Sequence, residues 1–110
     1  MAFEQGAVLV LPFPYSDRLA EKRRPALVVS RAGLQREHGV IWVAMITSAG
    51  GRPREGDVVI PDSKRAGLPA PSLVRPVKLA TIEPARVLRV AGAVTPSLLK
   101  RVLAVIRAQL

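Results

Sequence analysis

Three cations and a proline, Lys22-Arg23-Arg24-Pro25, run without a spacer into the apolar stretch Ala26 to Val29. Solvated charge ordinarily sits in loops or alternates along an exposed face, so cations abutting a buried strand place guanidinium groups at its rim, where a site can form. The remaining inventory of chemistry-bearing residues is short. With no Cys and a single His, His38, Cys nucleophiles, His pairs and His-rich or Cys-based metal sites are all excluded. Asp17, Glu21, Glu37, Glu55, Asp57, Asp62 and Glu83 are scattered through loops and strand ends without metal-ligand spacing. No GxxxxGK[ST] or GxGxxG string occurs, and the Gly-rich SAGG at 48–51 reads as a plain hairpin loop. No metal and no bound cofactor is expected. What is left is Arg, Thr and Ser at strand ends, groups that stabilise a phosphorane-like transition state rather than generate a metal hydroxide. RNA offers a reaction that needs little more. Its own 2′-hydroxyl attacks the neighbouring phosphate, and a protein need only align the groups, move protons and stabilise the developing charge. DNA lacks that nucleophile.

These residues need elements to position them. AVLVLP, residues 7–12, is a short β-rich run behind Gly6, broken by the two prolines and the Ser-Asp pair of PFPYSD. PALVVS is the next strand, followed by RAGLQREHG, read as a loop. VIWVAMIT, residues 40–47, lacks polar alternation and reads as the central strand, covered on both faces, with Trp42 in the core. DVVI, SLVRPVKLATI and VLRVAGAV supply three more strands, and Pro76 implies an edge or a bulge in the middle one. Thr95-Pro96 then has the chemistry of an N-cap and first helical position. Leu99, Val102, Leu103, Ile106 and Leu110 follow at helical spacing, predicting one amphipathic C-terminal helix. Six or so strands closed by a helix predict a mainly β fold, a small antiparallel barrel or half-barrel.

The chain has 110 residues, enough for one domain over 1–110, and its 49% hydrophobic content excludes a disordered tail. No apolar run approaches the ~20 residues that span a bilayer. No signal-peptide pattern opens the chain, so a cytoplasmic location and no membrane partner are expected. A net charge of +9 and a pI near 11.5 predict an acidic partner, nucleic acid foremost. Of the 17 cations, 13 are Arg and 4 are Lys. The planar Arg fork grips two phosphate oxygens at once, although a GC-rich genome would also enrich Arg beside Ala, Val, Pro and Gly.

GAVLVLPFPYSD, KRRPALVVS, the ITS of VAMITS, GLPAPSLVRPVKLATIE, VAGAV and the terminal helix resemble, in that order, the MazF/PemK family of toxin endoribonucleases from type II toxin-antitoxin pairs. The correspondence runs from about Gly6 to Ile106. It implies an SH3-like barrel with a C-terminal helix, a homodimer, and metal-independent cleavage of single-stranded RNA to 2′,3′-cyclic phosphate and 5′-hydroxyl ends. It also implies an acidic antitoxin lying in the RNA groove. Carried over by position, Arg24 is the Arg before Pro and would clamp the scissile phosphate, while Thr47, ending the central strand, would donate to a phosphate oxygen. Ser48 would assist by the same geometry. Pro25 biases Arg24 to an extended conformation and so aims its side chain.

Arg75 matches a basic residue that acts in some family members. Those members carry a carboxylate two residues later, where this chain has Val77, and a His in the first long loop, where it offers Asp17, Arg18, Glu21 and Lys22. The resemblance therefore places Asp17, Tyr15, Arg75 and Ser48 in the substrate groove and leaves the proton carrier open. Tyr15 and Phe13 would stack on a base or pack the loop. His38, the one imidazole in the chain, is a candidate base but reads as an ordinary surface His, and Lys22 and Arg23 read as steering charge or solvated loop. A non-catalytic nucleic-acid or translation-machinery binder on the same barrel is the alternative function, with a CcdB-like gyrase poison further behind.

Overall fold

A computed structural model describes residues 2–13, 23–50 and 52–110. Tyr15 and Asp17 lie outside the described residues, as do Arg18, Glu21 and Lys22.

Six strands form one antiparallel sheet in the order β4-β5-β3-β2-β1-β6. They are β1 (Ala7–Pro12), β2 (Arg23–Val28), β3 (Ile41–Ser48), β4 (Val58–Ile60), β5 (Ser72–Ile82) and β6 (Arg89–Ala93). Two irregularities curl the sheet into a half-barrel. One lies between Val8 and Leu9 where β1 meets β6. The other is in β5, where Ala44 of β3 faces Leu79 but Met45 faces Arg75. Three residues, Pro76 to Lys78, are thus looped out of the ladder. Pro76 has no N–H to give, and the bulge expected there is where β5 bends.

Alternation along the strands sends side chains to two apolar clusters. Val8, Leu27, Ala44, Ile46, Val58, Ile60 and Val74 pack on one face under the C-terminal helix α2 (Pro96–Arg107). Leu9, Leu11, Phe13, Ala26, Val28, Val43 and Ile82 fill the other. α2 begins as its sequence predicts: the Thr95 hydroxyl accepts from Leu98 N–H at 3.2 Å and Pro96 takes the first turn. Leu98 and Val102 are buried, while Leu99, Leu103 and Ile106 are partly so. Leu110 lies beyond the helix and is 95% exposed, so it does not extend the buried stripe.

Two further expectations are corrected and one open alternative is narrowed. RAGLQREHG is not a plain loop, since Ala32–His38 forms a two-turn helix, α1, stopped by Gly39 at φ 72° with its N–H on Gln35 O. No side chain caps its start, so nothing but a short apolar pattern marked it. Trp42 is 50% exposed rather than core. It lines an open groove between α1 and α2 with Leu79, Leu103 and Ile106. Phe13 is 1% exposed within the second cluster, which settles it as packing rather than a stacking platform.

The 62–68 turn lies against β6 with no room for side chains between them. A Cβ on Gly67, which has φ +75°, would stand 2.0 Å from Ala91 O, and one on Gly92 would stand 2.6 Å from Arg65 O. Gly67 and Gly92 thus dock this turn and fix the course of Leu68, Pro69 and Ala70 toward β5.

Candidate active site

The cleft that matters opens where two neighbouring strands part. β2 pairs with β3 only from Ala26–Met45 to Val28–Val43. Beyond Ala26 the start of β2 stays with β1, through Leu11–Arg24 and Pro12–Arg23. Meanwhile the end of β3 stays with β5, through Thr47–Leu73 and Ser48–Ser72. Pro25 contributes to the separation by presenting no N–H. Between the parted ends lies a cleft of about 410 Å³, lined by Arg23, Arg24, Thr47, Ser48 and Ser72 and bordered by Leu68, Pro69 and Ala70.

Continuing the Ala26–Met45 register by two residues sets Arg24 across from Thr47. Both project to the face of Ala26, Met45 and Val43, at the margin of the second apolar cluster. Arg23 and Ser48 alternate to the opposite face, so the cleft wraps the sheet end with a cation and a hydroxyl on each side. The Arg24 Nε is buried and has no hydrogen-bond partner among the described residues. A buried donor left unsatisfied costs about 1–3 kcal/mol, more when charged. An anion entering the cleft would relieve that cost. Ser72 is buried, and its hydroxyl donates to Ala70 O at 2.9 Å, holding the cleft border to β5.

Sequence reasoning placed Arg24, Thr47 and Ser48 together, and the structure brings them into one cleft. Arg23, read there as solvated, lines the same cleft. Arg75 is not among the lining residues. It stands opposite Met45, two residues along β5 from Leu73, on the face shared with Arg24 and Thr47. There its Nε meets Asp57 Oδ2 at 3.4 Å, an ion pair in which Asp57 is 2% and Arg75 18% exposed. Sequence reasoning had no signal for that partner, because the carboxylate arrives from the turn before β4. His38 lies exposed at the end of α1, just before the opposite end of β3 from Thr47. The length of β3 is about 23 Å, so His38 cannot serve the cleft of its own chain. No group of three or more His, Cys, Asp or Glu that could hold a metal occurs among the described residues. Nor, among them, is any helix long and apolar enough to cross a membrane.

The class of protein so defined is a curled antiparallel half-barrel closed by one C-terminal helix, with a cationic, hydroxyl-edged cleft at its parted strands. The chain belongs to the family of PemK-like, MazF-like toxins of type II toxin-antitoxin systems, whose model matches residues 4–110. No curated protein matches it in sequence. Among solved structures it is similar to an endoribonuclease from a mycobacterial species in complex with its cognate antitoxin, at 19% identity and TM-score 0.77 over 97% of this chain and 93% of that one. It is also similar to the MazE-MazF complex of Deinococcus radiodurans, at 20% identity and TM-score 0.75 over 99% and 95% of the two chains. A third is the Mycobacterium tuberculosis toxin MazF-mt6, at 22% identity and TM-score 0.73 over 93% of each chain. Identities this low speak to the fold, which is the predicted SH3-like architecture.

Proposed function

We propose that this chain is a metal-independent endoribonuclease that cleaves single-stranded RNA in the Arg24–Thr47 cleft. The observation that carries the reading is the buried Nε of Arg24, without a partner among the described residues, on the face it shares with Thr47 across the parted strands. A scissile phosphate seated there would accept from the Arg24 fork, and the Thr47 hydroxyl would donate to a second non-bridging oxygen. As O2′ bonds to phosphorus, negative charge grows on those oxygens, and both donors are already in place to meet it. The P–O5′ bond then breaks, leaving a 2′,3′-cyclic phosphate on one product. The proton lost from the 2′-hydroxyl is balanced by the one gained at O5′ of the other. Among the described residues the cleft holds guanidiniums and hydroxyls but no carboxylate or imidazole. The share of these described residues is alignment and charge stabilisation, with Ser48 and Arg23 steadying the flanking backbone.

The same reading makes the chain a single toxin domain acting in the cytoplasm. An antitoxin with an acidic segment would occupy the cationic cleft, and DNA would be bound only in that complex. The reading includes a homodimer, and the groove of about 1040 Å³ around Trp42 and Leu79, mainly apolar, supports it as a surface a second copy would bury. The lack of an acid or base among the described cleft residues favours one second reading, a binder that holds RNA without cutting it. A single experiment separates the two: matched RNA and DNA oligonucleotides are incubated with the protein in EDTA. The nuclease cuts the RNA and spares the DNA, and the binder leaves both intact. Cleavage that needs Mg²⁺, or that includes the DNA, would sink the mechanism.

A further inference from the structure

Asp57 is the one acidic residue among those described that is not exposed as a whole residue, and its surroundings are built rather than incidental. Its Oδ2 accepts from the Arg54 backbone N–H at 2.7 Å, and its own N–H donates to Arg54 O at 2.9 Å. This reciprocal pair locks the 54–57 turn and fixes the carboxylate. The same oxygen accepts from Arg75 Nε at 3.4 Å. A carboxylate held in place by its own turn and 2% exposed is a fixed anchor for a neighbouring guanidinium. A guanidinium held through Nε keeps its terminal nitrogens for another acceptor. Arg75 shares the face of Arg24 and Thr47, about 7 Å further from the strand end, where the next phosphate of a bound strand would pass.

We propose that Asp57 is a positioning residue for RNA: anchored by its turn, it aims Arg75 at the phosphate beside the scissile one. The inference rests on the RNA reading of the cleft.

The test is a cycle of Asp57→Asn, Arg75→Gln and the double variant. Affinity is measured on a 2′-O-methyl RNA that cannot be cut, alongside cleavage of the unmodified strand. Removing a negative charge beside a phosphate site should tighten RNA binding if Asp57 merely offsets Arg75. Positioning predicts the reverse, a loss of about tenfold in Asp57→Asn, with the double variant no weaker than Arg75→Gln. Asn keeps the shape and an acceptor for Arg54 N–H, and an unchanged melting temperature in the Arg75→Gln background excludes a folding effect. Tighter binding, unchanged binding or losses that multiply would each overturn the inference. If the wild type bound the RNA but cut none, the nuclease reading would fail while the binding cycle still decided the role of Asp57.

Discussion

Arg24 combines two conditions that rarely coexist, a buried guanidinium nitrogen and no acceptor for it among the described residues. Charge alone would be met by Lys, but Lys is a compact point charge without a second fixed donor. Arg24→Lys should therefore lose about 100-fold or more in kcat/KM on RNA, near the loss for one donor to a developing oxyanion. Its melting temperature should stay at the wild-type value or above. Full activity in Arg24→Lys would show that no forked grip is needed. That Arg24, Thr47 and Ser48 share one cleft was legible in the sequence, Arg24 as a cation at the mouth of an apolar run and the other two through the family resemblance. The Arg75–Asp57 pair was not, since it joins residues 18 apart across β4 and β5. Nothing in either local sequence names the other. Trp42 was misplaced for a related reason: a strand pattern tells which residues share a face, not how far the covering helix reaches.

At the scale of elements, the cleft depends on strands that part and on a border that stays put. The six strands and α2 were readable from apolar runs, Pro76 and Thr95-Pro96. The two-turn α1 was not, being uncapped and shorter than two clear repeats of the helical period. Nor was the packing of the 62–68 turn on β6, which rests on missing side chains rather than present ones. Gly67→Ala should force the turn away from Ala91 and strain a left-handed residue. The cost is expected at about 2–3 kcal/mol, a drop of about 10 °C or more in melting temperature for a domain of this size. Leu68, Pro69 and Ala70 would shift with the turn, so RNA cleavage should fall even where the variant remains folded. A melting curve superposing on the wild type would show that the close approach is slack.

Across the whole molecule, a charge of +9 is a field as well as a set of contacts. Its legible part was its sign and its Arg bias; where it concentrates depended on the curl. If Arg23, Arg24 and Arg75 each meet a phosphate, affinity for an uncleavable RNA should fall with salt at a log–log slope near −2, about −0.7 per contact on a single strand. Arg24→Ala should flatten that slope by about one contact. A flat wild-type response would assign the basic surface to protein recognition instead.

Everything proposed for the cleft turns on Arg24 stabilising an attack by the RNA's own 2′-hydroxyl. The most direct measurement is mass spectrometry of the ends produced from a long unstructured RNA in EDTA, with wild type and Arg24→Ala side by side. The expected products carry 2′,3′-cyclic phosphate and 5′-hydroxyl ends, and the variant yields almost none. Ends bearing 5′-phosphate, or undiminished cleavage by Arg24→Ala, would contradict it.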